Sequence, residues 1–345
     1  MEDKRKRLEY IDAMRGFAIL FIVFGHIPLY CYGIADEQLS SFRALTSLLQ
    51  LPMFFFVSGF VFNPQKMLTG GVKTLFSKFR QLVVPALFFG VIYVFINNID
   101  IIYCLTDKFK CGYWFTLTLF EFIVVQYLWE YVAKKSNIYN NGNLYIILSI
   151  VIVSLFYVLS IPSVSEKIGN VSGIFGLPMF RYYMYFVVGR LIHMHLDALL
   201  QYKYLNFCVS FIVFGFLMLS VYNWCYNVNL VGSLFHVNLI IFELFALLSV
   251  FIFMYKKRTY LSTCSYGSRI ITFIGRRTLD IYLLHYFFLP EDLSVFGHYF
   301  VNHPAPVLEL VFGGMITFII IVVCIIVSEM LRQSVFCKRW LLGVK

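Results

Sequence analysis

Asp12, Arg15 and His26 stand in the first apolar run of the chain. It begins Leu8-Glu9-Tyr10-Ile11-Asp12-Ala13-Met14-Arg15-Gly16-Phe17 and continues apolar through Phe24-Gly25 to His26 and Pro28. On a helix, eleven residues make about three turns, so Arg15 and His26 share one face, roughly 16 Å apart along the axis. Asp12 lies one turn before Arg15, on nearly the same stripe. A neutral imidazole is suited to general-base work near pH 7. Ionisable groups facing lipid are costly, so such a stripe is expected to face a protein interior or a wet cavity. A structural role fits the same residues: an Arg–Asp pair fixing the helix end and an interfacial histidine. Periodicity does not separate the two readings.

A second group lies late in the chain, in Ile274-Gly275-Arg276-Arg277-Thr278-Leu279-Asp280-Ile281-Tyr282-Leu283-Leu284-His285. Thr278, Tyr282 and His285, spaced four and three apart, form a hydrogen-bonding stripe that serves packing as readily as catalysis. Glu121 falls two helical turns beyond Tyr113-Trp114-Phe115, inside an apolar run, and is a candidate for lining a reaction cavity. Lys78 and Arg80 precede Pro85, and Arg276 and Arg277 join Arg269 near the late stripe. Each basic cluster also reads as ordinary decoration of a membrane's inner side. His193 and His195, two residues apart, fall on different helix faces, so no metal site is expected there.

The elements that must position these residues are membrane helices. Of 345 residues, 60% are hydrophobic and 13% charged, more apolar sequence than a soluble domain of this length can bury. The expected class is all-α, a polytopic membrane protein forming a single domain over residues 1–345. About ten spans are expected, near residues 10 to 30, 44 to 63, 80 to 98, 113 to 133, 143 to 160, 173 to 192, 204 to 222, 232 to 255, 278 to 292 and 305 to 331. The ninth is cut short by Pro290, Glu291 and Asp292. Placing the N-terminus inside puts 22 Lys and Arg on the inner side against four outside, with Arg15 and Arg181 within spans. That asymmetry fits an even number of spans with both termini inside. It also accounts for the net charge of +10, so nucleic-acid binding is not inferred from charge. Cys31, Cys104, Cys111 and Cys225 fall near the outer side, where an oxidising compartment would permit a bridge.

The residues carry a resemblance. Asp12, then Arg15 and His26 with ten residues between them, resemble the first-span mark of the membrane acyltransferase-3 family. Phe54-Phe55-x-x-Ser58-Gly59-Phe60, the basic residues before Pro85, the Trp114 region, the Arg181-Tyr182-Tyr183 stretch and the late element ending at His285 resemble further family elements, in the family's order. The resemblance runs from Arg15 to His285. It implies transfer of an acyl group, often acetyl, from cytosolic acyl-CoA to a cell-surface sugar at the bacterial inner membrane. It further implies His26 as general base toward the acceptor hydroxyl, with an acyl-histidine intermediate as the alternative. Glu121, Tyr282 or His285 would support His26, Asp12 and Arg15 would stabilise each other on the donor's path, and Lys78, Arg80, Arg276 and Arg277 would meet donor phosphates. Acetyl-CoA is the implied donor and no metal is implied. The implied partners are the bilayer and a carbohydrate or lipid-linked sugar. Two other classes stay open on residue evidence: a transporter or flippase for a sugar or lipid precursor, and a non-catalytic member of an envelope complex.

Overall fold

The computed structural model describes residues 8–34, 41–201, 235–259, 266–303 and 305–344. Apolar runs in lipid must satisfy every backbone amide internally, which a helix does, and no strand occurs among the described residues. The larger helices are α1 (Glu9–His26), α2 (Ser41–Phe60), α3 (Pro64–Ile96), α4 (Trp114–Lys135), α5 (Gly142–Ser160), α6 (Tyr183–Met194), α7 (Phe235–Lys256), α8 (Tyr266–Arg276), α9 (Thr278–Leu284), α10 (Ser294–Asn302) and α11 (Pro306–Arg332). The all-α expectation holds. Among the described residues four helical stretches are long and apolar enough to cross a membrane: Glu9–Cys31, Pro64–Ile96, Gly142–Ser160 and Val307–Arg332. The expected seventh span, 204 to 222, lies outside the described residues.

Several elements depart from the simple spans for local reasons. Pro28 cannot donate to the helical ladder, and α1 widens there into a π turn, Ile27–Cys31. The third helix begins at Pro64 rather than near 80, capped by the Asn63 side chain, which accepts from the Lys66 amide, and it is broken at Gly71. The region 173 to 192 is a continuous α-helix only in its second half. Its first half, rich in Gly and Pro, forms a short helix (Asn170–Ile174) and a 3₁₀ segment (Leu177–Tyr182) before α6. The ninth run yields only α9 and a 3₁₀ turn, His285–Phe288, ending before Pro290. Cys31, Cys104 and Cys111 are free thiols.

The chain divides into two compact units, Met1–Val57 with Leu196–Ile325, and Ser58–His195 with Ile326–Lys345. In the first, α1 is the central strut: Ala13, Met14, Ala18, Ile19 and Val23 are wholly buried. Tyr10 packs against Phe251 and Tyr255 of α7. Helix α8 runs antiparallel to α1, with Ile271 beside Gly16 and Gly275 beside Asp12. In the second unit, Phe122 of α4 packs among Phe180, Tyr183 and Phe186. A fully buried Glu130 organises a polar network in that core: it accepts from Arg190 Nε (3.0 Å), Tyr145 Oη (3.0 Å) and Gln126 Nε2 (3.1 Å), while Tyr183 Oη donates to Gln126 Oε1 (2.9 Å). Those bonds tie α4, α5 and α6 together.

Candidate active site

The first unit's chemistry depends on how closely α8 approaches α1. A Cβ on Gly275 would collide with the Asp12 carbonyl oxygen and stand 3.1 Å from the Gly16 amide nitrogen, and one on Gly16 would collide with the Ile271 carbonyl oxygen. Only glycine at both positions permits this crossing. At its lower end the contact is ionic. Arg276 Nε donates to Asp12 Oδ2 at 3.3 Å and its terminal nitrogen to Glu9 Oε1 at 3.4 Å, while Arg15 lies 3.6 Å from Asp12 Oδ1. Asp12 is buried and Arg15 is partly open. One buried carboxylate thus holds two guanidinium groups, one from each helix. Arg277, the N-cap of α9, lies 3.9 Å from Asp280 and over the Phe273 ring.

After Arg277 the chain reverses, and α9 climbs back beside α1. Ten residues beyond Gly275, His285 arrives at the level of His26. The two imidazoles are nearly parallel, 8° apart, with His26 Nδ1 and His285 Nε2 separated by 2.9 Å. Proton positions follow from the remaining partners. His285 Nδ1 lies 2.8 Å from the Tyr282 carbonyl oxygen and 3.1 Å from that of Ile281. Carbonyls only accept, so this nitrogen carries hydrogen and His285 Nε2 bears the lone pair. His26 Nδ1 must then donate to it. The lone pair of His26 therefore sits on Nε2, 3.5 Å from the Tyr286 hydroxyl, which donates toward it. His285 is fully buried while His26 is only partly so. Tyr30 and Tyr286 close around the His26 ring at centroid distances of 5.4 and 5.1 Å. The arrangement is a relay that fixes which nitrogen of His26 is basic.

The other sequence candidates belong to the second unit. Glu121 sits on α4 with its Oε2 buried and lacking a hydrogen-bond partner among the described residues. Lys110 of the same unit donates to the Leu105 and Gly173 carbonyls. Lys78 and Arg80 occupy α3, where Arg80 lies under the Trp340 ring. Arg80 Nε is buried, again without a hydrogen-bond partner among the described residues. An orphaned guanidinium donor of this kind is what a phosphate oxygen would satisfy, so the residues present fit a phosphorylated donor.

A family model described as an acyltransferase domain matches residues 8–328. The chain belongs to the acyltransferase-3 family. It is a membrane acyltransferase, and the family implies an acyl donor. No curated protein and no solved structure matches it. Within this acyltransferase an apolar groove of about 630 Å³ lies between α1, α8 and α11. It takes Leu20, Phe21 and Phe24 from α1, the side turned away from His26, so it is not where the relay acts. Among the described residues no cluster of three or more potential metal ligands occurs. Sequence reasoning missed Tyr286, the pairing of Arg276 with Asp12, the helix crossing at Gly16 and Gly275, and the Glu130 network. Two glycines flanked by charged residues in separate apolar runs were the available signal for the crossing.

Proposed function

We propose that this acyltransferase moves an acetyl group from cytosolic acetyl-CoA to a hydroxyl of a cell-envelope carbohydrate, with His26 as general base. The observation that carries the reading is the proton order of the relay. His285 donates to two backbone carbonyls and accepts from His26, which leaves His26 Nε2 as the basic atom beside Tyr286. The donor, when bound, supplies an activated thioester. The chain's residues do the rest. His26 Nε2 takes the proton as the acceptor oxygen attacks the thioester carbonyl, His285 Nε2 steadies the resulting imidazolium by accepting from His26 Nδ1, and the proton returns to the CoA sulfur as the C–S bond breaks. General-base assistance of this kind contributes about 10² to 10⁴ in rate. Asp12, itself held by Arg276, keeps Arg15 directed along α1 toward the donor's path, and Glu121 and Tyr282 complete the proposed catalytic set. Lys78, Arg80, Arg276 and Arg277 are the proposed phosphate contacts.

The whole chain acts as one transmembrane domain of about ten helices, both termini inside, in the bacterial inner membrane. The charge asymmetry between loops supports that orientation. The acceptor class is a polysaccharide repeat, a lipid-linked sugar or peptidoglycan. The test is purified protein in lipid nanodiscs given radiolabelled acetyl-CoA and envelope oligosaccharides. Label appearing on carbohydrate, with free CoA released in equal amount, supports transfer. Sugar flux across proteoliposomes without thioester consumption would replace this reading with transport.

A further inference from the structure

Residues 333–344 lie beyond the stretch that the family model matches, yet they are folded firmly onto α3. Leu342 is buried. Gly343 has φ +62°, and a Cβ there would collide with the Gln81 carbonyl oxygen. Anchored at that point, the π turn Cys337–Leu341 holds Trp340 over Arg80, with 5.7 Å from the guanidinium carbon to the ring centroid. Lys338 and Arg339 are exposed on the same turn, and Trp340 keeps 36% of its surface open. No carboxylate among the described residues pairs with Arg80, Lys338 or Arg339. Below the exposed pair, Arg80 Nε is buried without a hydrogen-bond partner among the described residues. Cations unmatched by carboxylates, graded from surface to interior and joined by an indole, have the chemistry of a nucleotide phosphate site. Phosphate oxygens accept charge-assisted bonds from the cations. Aromatic faces stack on bases, and each such stack is worth about 1–3 kcal/mol.

We propose that this C-terminal turn completes the donor site by binding the phosphoadenosine end of acyl-CoA. Arg80, Lys338 and Arg339 take the phosphates and Trp340 takes the adenine. The proposal rests on the acyl-CoA reading above and adds a segment outside the family match to it. A lipid headgroup could bring phosphate to Lys338 and Arg339 but carries no base to stack on the open Trp340 indole. That difference favours the nucleotide.

The test compares wild type, Trp340→Leu and the double variant Lys338→Ala with Arg339→Ala in nanodiscs of zwitterionic lipid and, separately, of anionic lipid. Three quantities are measured: KM for acetyl-CoA, KM for S-acetyl-pantetheine, which lacks the nucleotide, and calorimetric binding of adenosine 3′,5′-bisphosphate. Each variant is expected to raise KM for acetyl-CoA about tenfold, a change of about 1.4 kcal/mol. KM for the truncated donor stays at the wild-type value, and bisphosphate binding weakens by the same factor. Unchanged values in both variants would overturn the site. So would equal rises on both donors, which indicate general damage, or rises seen only in anionic nanodiscs, which assign the cations to lipid headgroups. If wild type transfers no acyl group yet binds the bisphosphate through these residues, the acyltransfer reading fails and the nucleotide site stands. If wild type transfers and the variants bind normally, the site fails alone.

Discussion

Replacing His285 by phenylalanine keeps a buried aromatic ring and removes the atom that orders the His26 protons. In the wild type His26 Nδ1 donates across 2.9 Å to His285 Nε2. The opposite His26 tautomer would set two lone pairs against each other over that distance. Losing one buried hydrogen bond removes about 1 kcal/mol of preference for the reactive tautomer. Losing the repulsion against the wrong tautomer and the restraint on ring orientation adds to it. Together these give a fall in kcat on the order of 10², at the lower edge of what a general base contributes. KM for acyl-CoA should stay within about twofold, because His285 touches His26 and not the proposed phosphate contacts. His285→Gln restores an acceptor near the Nε2 position and should recover about tenfold of the loss. The assay is single-turnover transfer of labelled acetyl in nanodiscs, with thermal unfolding checked for each variant. A Phe variant that folds normally and transfers at the wild-type rate would refute the relay. So would a Gln variant no better than Phe.

Other predictions concern the packing that sets the relay in place. Gly275→Ala drives a methyl into the Asp12 carbonyl. It should cost about 1–3 kcal/mol as an overpacked contact, read as a lower unfolding temperature with transfer falling in parallel. Glu130→Ala leaves Arg190 buried and uncompensated. A loss of about 3–5 kcal/mol is expected, and Glu130→Leu combined with Arg190→Met should regain most of it in the same unfolding assay. Glu121→Gln removes a carboxylate whose Oε2 lacks a hydrogen-bond partner among the described residues. Stability should stay within about 0.5 kcal/mol of wild type while transfer drops at least about tenfold, as expected of a proposed catalytic group.

Much of the helical frame could be read from residue order. The spacing of Arg15 and His26 placed them on one stripe, and the composition required helices. The truncation of the ninth run was visible in Pro290-Glu291-Asp292. What periodicity could not reveal was the reversal at Arg277. That break sends α8 down α1 and α9 back up, so Arg276 meets Asp12 across 264 residues and His285 meets His26 across 259. Such pairings depend on where two helices cross, and the crossing depends on Gly16 and Gly275, which carry no periodic signal. Glu130 escaped notice for a similar reason. In sequence it sits between Trp129 and Tyr131 and reads as a membrane-interface position, and only the fold supplies Tyr145 and Arg190 as its partners.

The central claim is that His26 Nε2 takes the acceptor's proton during acyl transfer. The most direct measurement is incorporation of labelled acetyl from acetyl-CoA into envelope carbohydrate by cells making the wild type or His26→Ala, at matched membrane levels of protein. Incorporation with wild type and a drop of at least about 10² with His26→Ala are expected. Equal incorporation by the two forms would contradict the account.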